Sequence, residues 1–223
     1  MEQKDQTSKY LSWLLYIGIA SISLNVVKDI LVNDSWASWL QFVLTGGTAL
    51  CLYLLTPAGS GYRLAAIIRV AYLLLNIAIQ AVGSFLIPQF LFSDTMEKTQ
   101  MLTLLMNVTR VLGIAAAILS ILSLWLEYRA HGALVSGTNR DFQRKWTHLF
   151  FIRLGAALFY SAGTYVAAYF QQLLQWDIAT THGLVLAILN LPVKAAYLLY
   201  LLYLYRTIRL VRESINMEET YGP

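Results

Sequence analysis

Lys194 stands near the middle of an uncharged, largely apolar run, residues 183–205. It lies about eleven residues in from the preceding loop, roughly 17 Å along a helix at 1.5 Å per residue, close to the centre of a ~30 Å hydrocarbon core. A cation at that depth costs on the order of 2.5–3.5 kcal/mol on insertion scales, so such residues face a partner, a water-filled cavity or a ligand. The chemistry on offer is electrostatic, because an ammonium with three N–H donors suits an anionic or strongly polar solute. Asp29 falls near the outer end of the first apolar run and Glu127 at the inner end of the fourth. The expected partners at the depth of Lys194 are therefore Asn carbonyl oxygens, hydroxyls such as those of Tyr160 and Tyr197, water, or the solute itself.

Polar residues in the other runs extend this reading. Positions three or four apart share a helix face, which groups Asn190, Lys194 and Tyr197, then Asn107 with Arg110, and Asn76 with Gln80. Ser21, Asn25 and Lys28 form a further stripe, as do Ser161, Thr164, Ala168 and Gln171. Two readings compete. In one, the stripes are interhelical glue at about 0.6 kcal/mol per contact, with Gly83, Gly113, Gly155 and Gly163 allowing close approach. In the other, they converge on an outward-facing pocket lined by Asn76, Gln80, Asn107, Arg110, Asn190, Lys194 and Tyr197, with the two cations at its floor, while the inner half is bare of comparable groups.

Catalytic material is sparse. His131, His148 and His182 are scattered, and no His-Glu-x-x-His zinc motif, Gly-x-Ser-x-Gly elbow or phosphate-cradling loop is present. Glu127 and His131 are spaced i, i+4, which reads as a solvated helix end as readily as a metal contact. Cys51 lies inside an apolar run with no histidine near it. An enzyme is not expected, nor is a metal or cofactor.

The elements that must position these residues follow from composition. With 58% hydrophobic and only 13% charged residues in 223, and a mean hydropathy of +0.58, the chain is too apolar for a soluble domain. Six apolar stretches, 10–32, 36–56, 64–92, 101–126, 149–170 and 183–205, are each long enough to span a bilayer as a helix. The expected fold class is all-α, a single domain forming a six-transmembrane-helix bundle. Continuous Leu, Ile and Ala runs exclude a transmembrane barrel.

Lys4, Lys9, Arg63, Arg129, Arg140, Arg144, Lys145, Arg206, Arg209 and Arg212 all fall on the side shared by both termini, and Lys98 alone falls opposite. The positive-inside rule then predicts a multi-pass protein of the cell membrane with both termini cytoplasmic. Arg69 and Arg153 are expected to snorkel to the inner headgroups. Trp13, Trp125 and Trp146 are expected at the inner boundary and Trp36, Trp39 and Trp176 at the outer one. The net charge of +4 is explained by inward-facing loops meeting anionic lipid, so no nucleic-acid partner is implied. Residues 127–148 read as a basic cytoplasmic loop, with a short interfacial helix in its latter part, able to dock a second membrane or cytoplasmic subunit.

Two longer-range patterns complete the reading. Ile67-Ile68-Arg69-Val70-Ala71 echoes Phe151-Ile152-Arg153-Leu154-Gly155, and the same offset places Arg110 on Lys194, the mark of a duplicated hairpin. Pro192, two residues before Lys194, offers a kink beside the cation. Size, helix count and topology are similar to those of the substrate-binding subunits of energy-coupling vitamin importers, although the first run lacks an Ala-x-x-x-Ala pattern, so the likeness is one of architecture. The expected function is a transporter, or the solute-binding membrane subunit of one, for a small polar or anionic solute. The alternative is a non-catalytic regulator, immunity factor or assembly subunit that uses the same polar residues to bind a partner helix.

Overall fold

The structure, a computed structural model, describes residues 2–30, 35–91, 96–137, 139–174 and 179–221, with side chains left undescribed near several helix ends. Among the described residues the chain is helical throughout, as α1 (Glu2–Ile30), α2 (Ser35–Leu54), α3 (Ser60–Ala81), α4 (Ile87–Leu91), α5 (Met96–Val135), α6 (Arg140–Leu174) and α7 (Ala179–Tyr221). Six stretches are long and apolar enough to cross a membrane: α1, α2, α3 with its continuation into α4, α5, α6 and α7.

Local chemistry sets the breaks. Pro57 opens a single 3-10 turn, Thr56–Ala58, that ends α2, since proline fits the first turn of a helix and cannot donate within one. Between α3 and α4 the backbone widens into a π-turn, Val82–Leu86, where the Ile87 amide bonds the Val82 carbonyl. Pro88 follows at once, and its missing N–H and ring bulk disfavour the ordinary i→i−4 bond to Ser84. Pro192, by contrast, lies inside α7, which continues past it.

The stretch 127–148, expected as a loop, is helical except for a short turn. α5 runs on to Val135, and α6 starts at Arg140 after Asn139, whose Oδ1 accepts the Phe142 amide at 2.9 Å as an N-cap. The cause is side-chain burial: Tyr128, His131 and Val135 on α5, and Phe142, Trp146 and Leu149 on α6, recur every three or four residues and are all buried. Charged residues between them lower the hydropathy without interrupting the apolar stripe.

Each long helix packs on its neighbour in sequence, and α7 returns to pack on α1, so the six close into a ring, with α5 and α7 also touching across it. Packing within the ring is uneven. The largest fully buried side chains, among them Leu11, Leu52, Tyr62, Tyr128, Trp146 and Leu204, lie where α1 begins and α7 ends, here the proximal end. Among the described residues, burial toward the distal end is confined mainly to small side chains such as Ser21, Ala37 and Ala116. Gly83, Gly113 and Gly155 have open space where a side chain would stand, so they do not serve the close approach expected of them, whereas Gly163 meets Leu189 across the α6–α7 contact.

Candidate functional site

The densest polar chemistry among the described residues lies at the proximal end, in the half expected to be bare. It is centred on Glu127, which α5 presents to α3 and α7. Arg69 Nη2 of α3 donates to Glu127 Oε2 at 2.7 Å, and Tyr200 Oη of α7 donates to Oε1 at 2.6 Å. Arg69 Nε reaches Ser123 Oγ at 2.9 Å, and Ser123 Oγ in turn donates to the Ala65 carbonyl at 3.3 Å, tying α5 to α3.

His131, one turn after Glu127 and fully buried, shares a 2.8 Å hydrogen bond with Tyr62 Oη through Nδ1. Its Nε2 lies 3.7 Å from Glu127 Oε1, an ion-pair distance but too long for a hydrogen bond. Nε2 and the buried Nε1 of Trp146 have no hydrogen-bond partner among the described residues, and their rings lie 4.7 Å apart. When Tyr62 donates to Nδ1, the tautomer that results carries its proton on Nε2 and aims it toward Glu127.

A second cation completes the cluster. Arg153 Nη1 of α6 donates to Tyr128 Oη at 2.7 Å, while its guanidinium carbon lies 4.6 Å from the Tyr197 ring centroid and 5.5 Å from that of Tyr200. Tyr128 and Tyr200 stack at 5.4 Å and 12°. Arg153 is thus held by aromatic faces, which attract a desolvated cation by about 2 kcal/mol or more. Arg69 and Arg153, expected to snorkel to headgroups, turn instead to protein partners: Arg69 to Ser123 and Glu127 on α5, and Arg153 to Tyr128 on α5 and to Tyr197 and Tyr200 on α7. Trp146 is likewise a core residue and not a boundary anchor, enclosed by His131, Tyr128, Tyr200 and Tyr203. Trp13, Trp36 and Trp39 are exposed, and Trp176 lies outside the described residues.

The residues expected to line one outward pocket are spread over several sites. Asn76 and Gln80 line a pocket of about 250 Å³ between α2 and α3, together with Ser38, Gln41, Thr45 and Tyr72. There Asn76 Nδ2 donates to the Tyr72 carbonyl at 2.8 Å and Gln80 Nε2 to Ser84 Oγ at 3.2 Å. Gln41 Nε2 donates to the buried Ser21 Oγ at 3.0 Å, joining α2 to α1. Lys194 lines a separate, mainly apolar groove of about 710 Å³ between α1 and α7. Tyr197, one turn on, belongs to the Arg153 cage. Asn107 and Arg110 are exposed on α5, and Asn190 is half-buried on α7.

Comparison with protein-family models, with curated proteins and with solved structures finds no match for this chain in any of them. The chemistry of the cluster therefore rests on its geometry. Its carboxylate, imidazole, tyrosine hydroxyls and two guanidinium groups are turned mainly on one another, and they join α3, α5, α6 and α7 at one level. Such an arrangement can fasten helices together, or release them when its pairing changes.

One feature of the sequence points to this pairing. Arg69 is ten residues from Gly59 and Glu127 nine from Ser136, so on adjacent antiparallel helices they stand at the same depth, about 14–15 Å from the turns.

Proposed function

We propose that this protein is a multi-pass transporter of the cell membrane, or the solute-binding membrane subunit of one, without enzymatic activity, with its proximal end and both termini in the cytoplasm. The observation that carries the reading is the uneven packing of the ring. One end is closed by aromatic side chains and the Glu127 cluster, while the other, among the described residues, is loosely packed and carries the amide-lined α2–α3 pocket. The basic residues gathered at the closed end support its cytoplasmic orientation. A small polar solute would enter from outside and meet Asn76, Gln80, Gln41 and Tyr72, and passage inward would require the Glu127 cluster to part. Because amides and hydroxyls dominate that pocket, a neutral polar solute suits it better than an anion.

The test is ligand-induced stabilisation of the purified protein by a panel of small polyols, amides and carboxylates. A ligand at a hundred times its Kd adds about 2.7 kcal/mol, and Asn76→Ala with Gln80→Ala should abolish the shift. A panel that leaves the melting temperature unmoved throughout would sink the reading.

The alternative, a regulator, immunity factor or assembly subunit, has its own supporting observation. Asn107 and Arg110 sit a turn apart and exposed on a face of α5, where a partner helix would satisfy them. Loss of a co-purifying protein on Arg110→Leu would favour it.

A further inference from the structure

We propose that the seam between α1 and α7 binds an anionic phospholipid, with the phosphodiester at Lys9 and Arg212 and an acyl chain running along the seam to the near edge of an apolar groove, at Ile22 and Leu198. The inference rests on the helices crossing a membrane and is independent of any transported solute.

The headgroup end is a groove of about 600 Å³ lined by Asp5, Ser8, Lys9, Ser12, Trp13 and Arg212 among others. Arg212 is oriented there by two hydroxyls: its Nε donates to Ser8 Oγ at 2.9 Å and its Nη2 to Ser12 Oγ at 3.3 Å. These bonds use two of a guanidinium's five N–H donors, and the planar fork that remains matches phosphate geometry. Lys9 Nζ lies 5.4 Å from the Trp13 ring centroid, which places a second cation over an exposed aromatic of the kind that settles at headgroup level. Asp5 lines the same groove and does not favour phosphate itself, but its carboxylate accepts from headgroups that carry their own donors, such as glycerol hydroxyls.

The chain end is the apolar groove formed by Ile22, Val26 and Val27 of α1 with Leu191, Ala195 and Leu198 of α7, into which Lys194 also projects. The two grooves share faces. Arg212 and Lys194 are eighteen residues apart on α7, five turns, and Tyr16 and Ser23 are seven apart on α1, close to two. From Lys9 to Ile22 the seam runs thirteen residues, about 20 Å, and from Arg212 to Leu198 fourteen, about 21 Å, so a chain filling one leaflet, half of a ~30 Å hydrocarbon core with the headgroup above it, ends at the near edge of the groove. A cationic head site with an apolar groove on the same helix faces one leaflet away fits a phospholipid, whereas a free anion would use the first part alone.

The full chain in neutral detergent is titrated with dioleoylphosphatidylglycerol, with dioleoylphosphatidylcholine and with water-soluble glycerol 3-phosphate. Retained lipid is counted by native mass spectrometry and the melting temperature is followed. Phosphatidylglycerol should be retained and raise the melting temperature. Retention should fall at least fivefold in K9Q/R212Q and stay within twofold in R209Q, which removes one positive charge, as K9Q alone does, from a surface pair on the same helix as Arg212. K9Q alone, which breaks no hydrogen bond of Arg212, should lower retention at least twofold and guards against misfolding of the double variant. Equal retention of phosphatidylcholine, undiminished phosphatidylglycerol in the double variant, or full stabilisation by glycerol 3-phosphate overturns the proposal. None of these outcomes bears on the solute panel.

Discussion

At Glu127, what a substitution does is decided by what it leaves behind. Glu127→Gln strands Arg69, whose side chain is only 16% exposed, and breaking a buried pair from one side costs about 3–5 kcal/mol. Removing both charges with Arg69→Met and Glu127→Gln should cost less than the two single losses combined, by about 1 kcal/mol or more. Tyr200→Phe keeps the ring stack but deletes a hydrogen bond to a carboxylate, worth about 1.5–3 kcal/mol. Melting temperatures in detergent of the wild type, Arg69→Met, Glu127→Gln, the double variant and Tyr200→Phe check all three expectations, and strict additivity of the Arg69 and Glu127 losses would mean that the ion pair does not couple α3 to α5. At this scale the sequence was legible only in part. Lys194 is conspicuous because it interrupts an apolar run, whereas Glu127 and His131 stand where charge is ordinary, at the end of one. Their burial depends on Tyr62, Trp146 and Tyr200 arriving from three other helices, and no periodicity within α5 reports that.

The helices themselves were easier to read than their ends. All six long runs are helical over their described residues, but α5 and α6 extend well past residues 126 and 149 toward the turn, because hydropathy counts the charge of Glu127 or Arg144 and not the face on which it lies. The glycines show the same limit. Composition treats them alike, whereas the structure separates Gly61, where an added methyl would lie 3.3 Å from Ala130 Cβ and 3.9 Å from the Leu126 carbonyl, from Gly113, where it would meet nothing within 4 Å. Gly61→Val should therefore wedge α3 from α5 beside the cluster and cost about 1–3 kcal/mol, as overpacking does. Gly113→Val should be near neutral, since the gain in backbone order offsets the modest helix preference of a branched residue. Thermal melts of the two variants, run alongside the wild type, test the packing of the two ends directly. Equal losses at both positions would contradict the uneven ring.

For the whole molecule, an all-α bundle with both termini at one end follows from the count and length of apolar runs, but the convergence of the polar stripes did not. Asn76 and Gln80 do share one pocket, but whether stripes on different helices meet depends on the rotation of each helix about its axis, which no single helix reports. That rotation sends Asn107 and Arg110 outward, Lys194 toward α1 and Asn76 toward α2. The same geometry yields a prediction about solvent. In a Cys51→Ala background, single cysteines at Asn76 and Gln80 line the pocket of the loosely packed end, and cysteines at Ser123 and Ala65 lie inside the closed one. A membrane-impermeant maleimide applied to intact cells should label the first pair and spare the second. Disrupting the cluster with Glu127→Gln should raise labelling at Ser123 severalfold from the cytoplasmic side, in inverted vesicles. If labelling at Asn76 instead comes from the cytoplasmic side, the bundle is inserted the other way round. If Asn76 is protected in membranes but labelled in detergent, lipid or a partner helix fills the space assigned to solute.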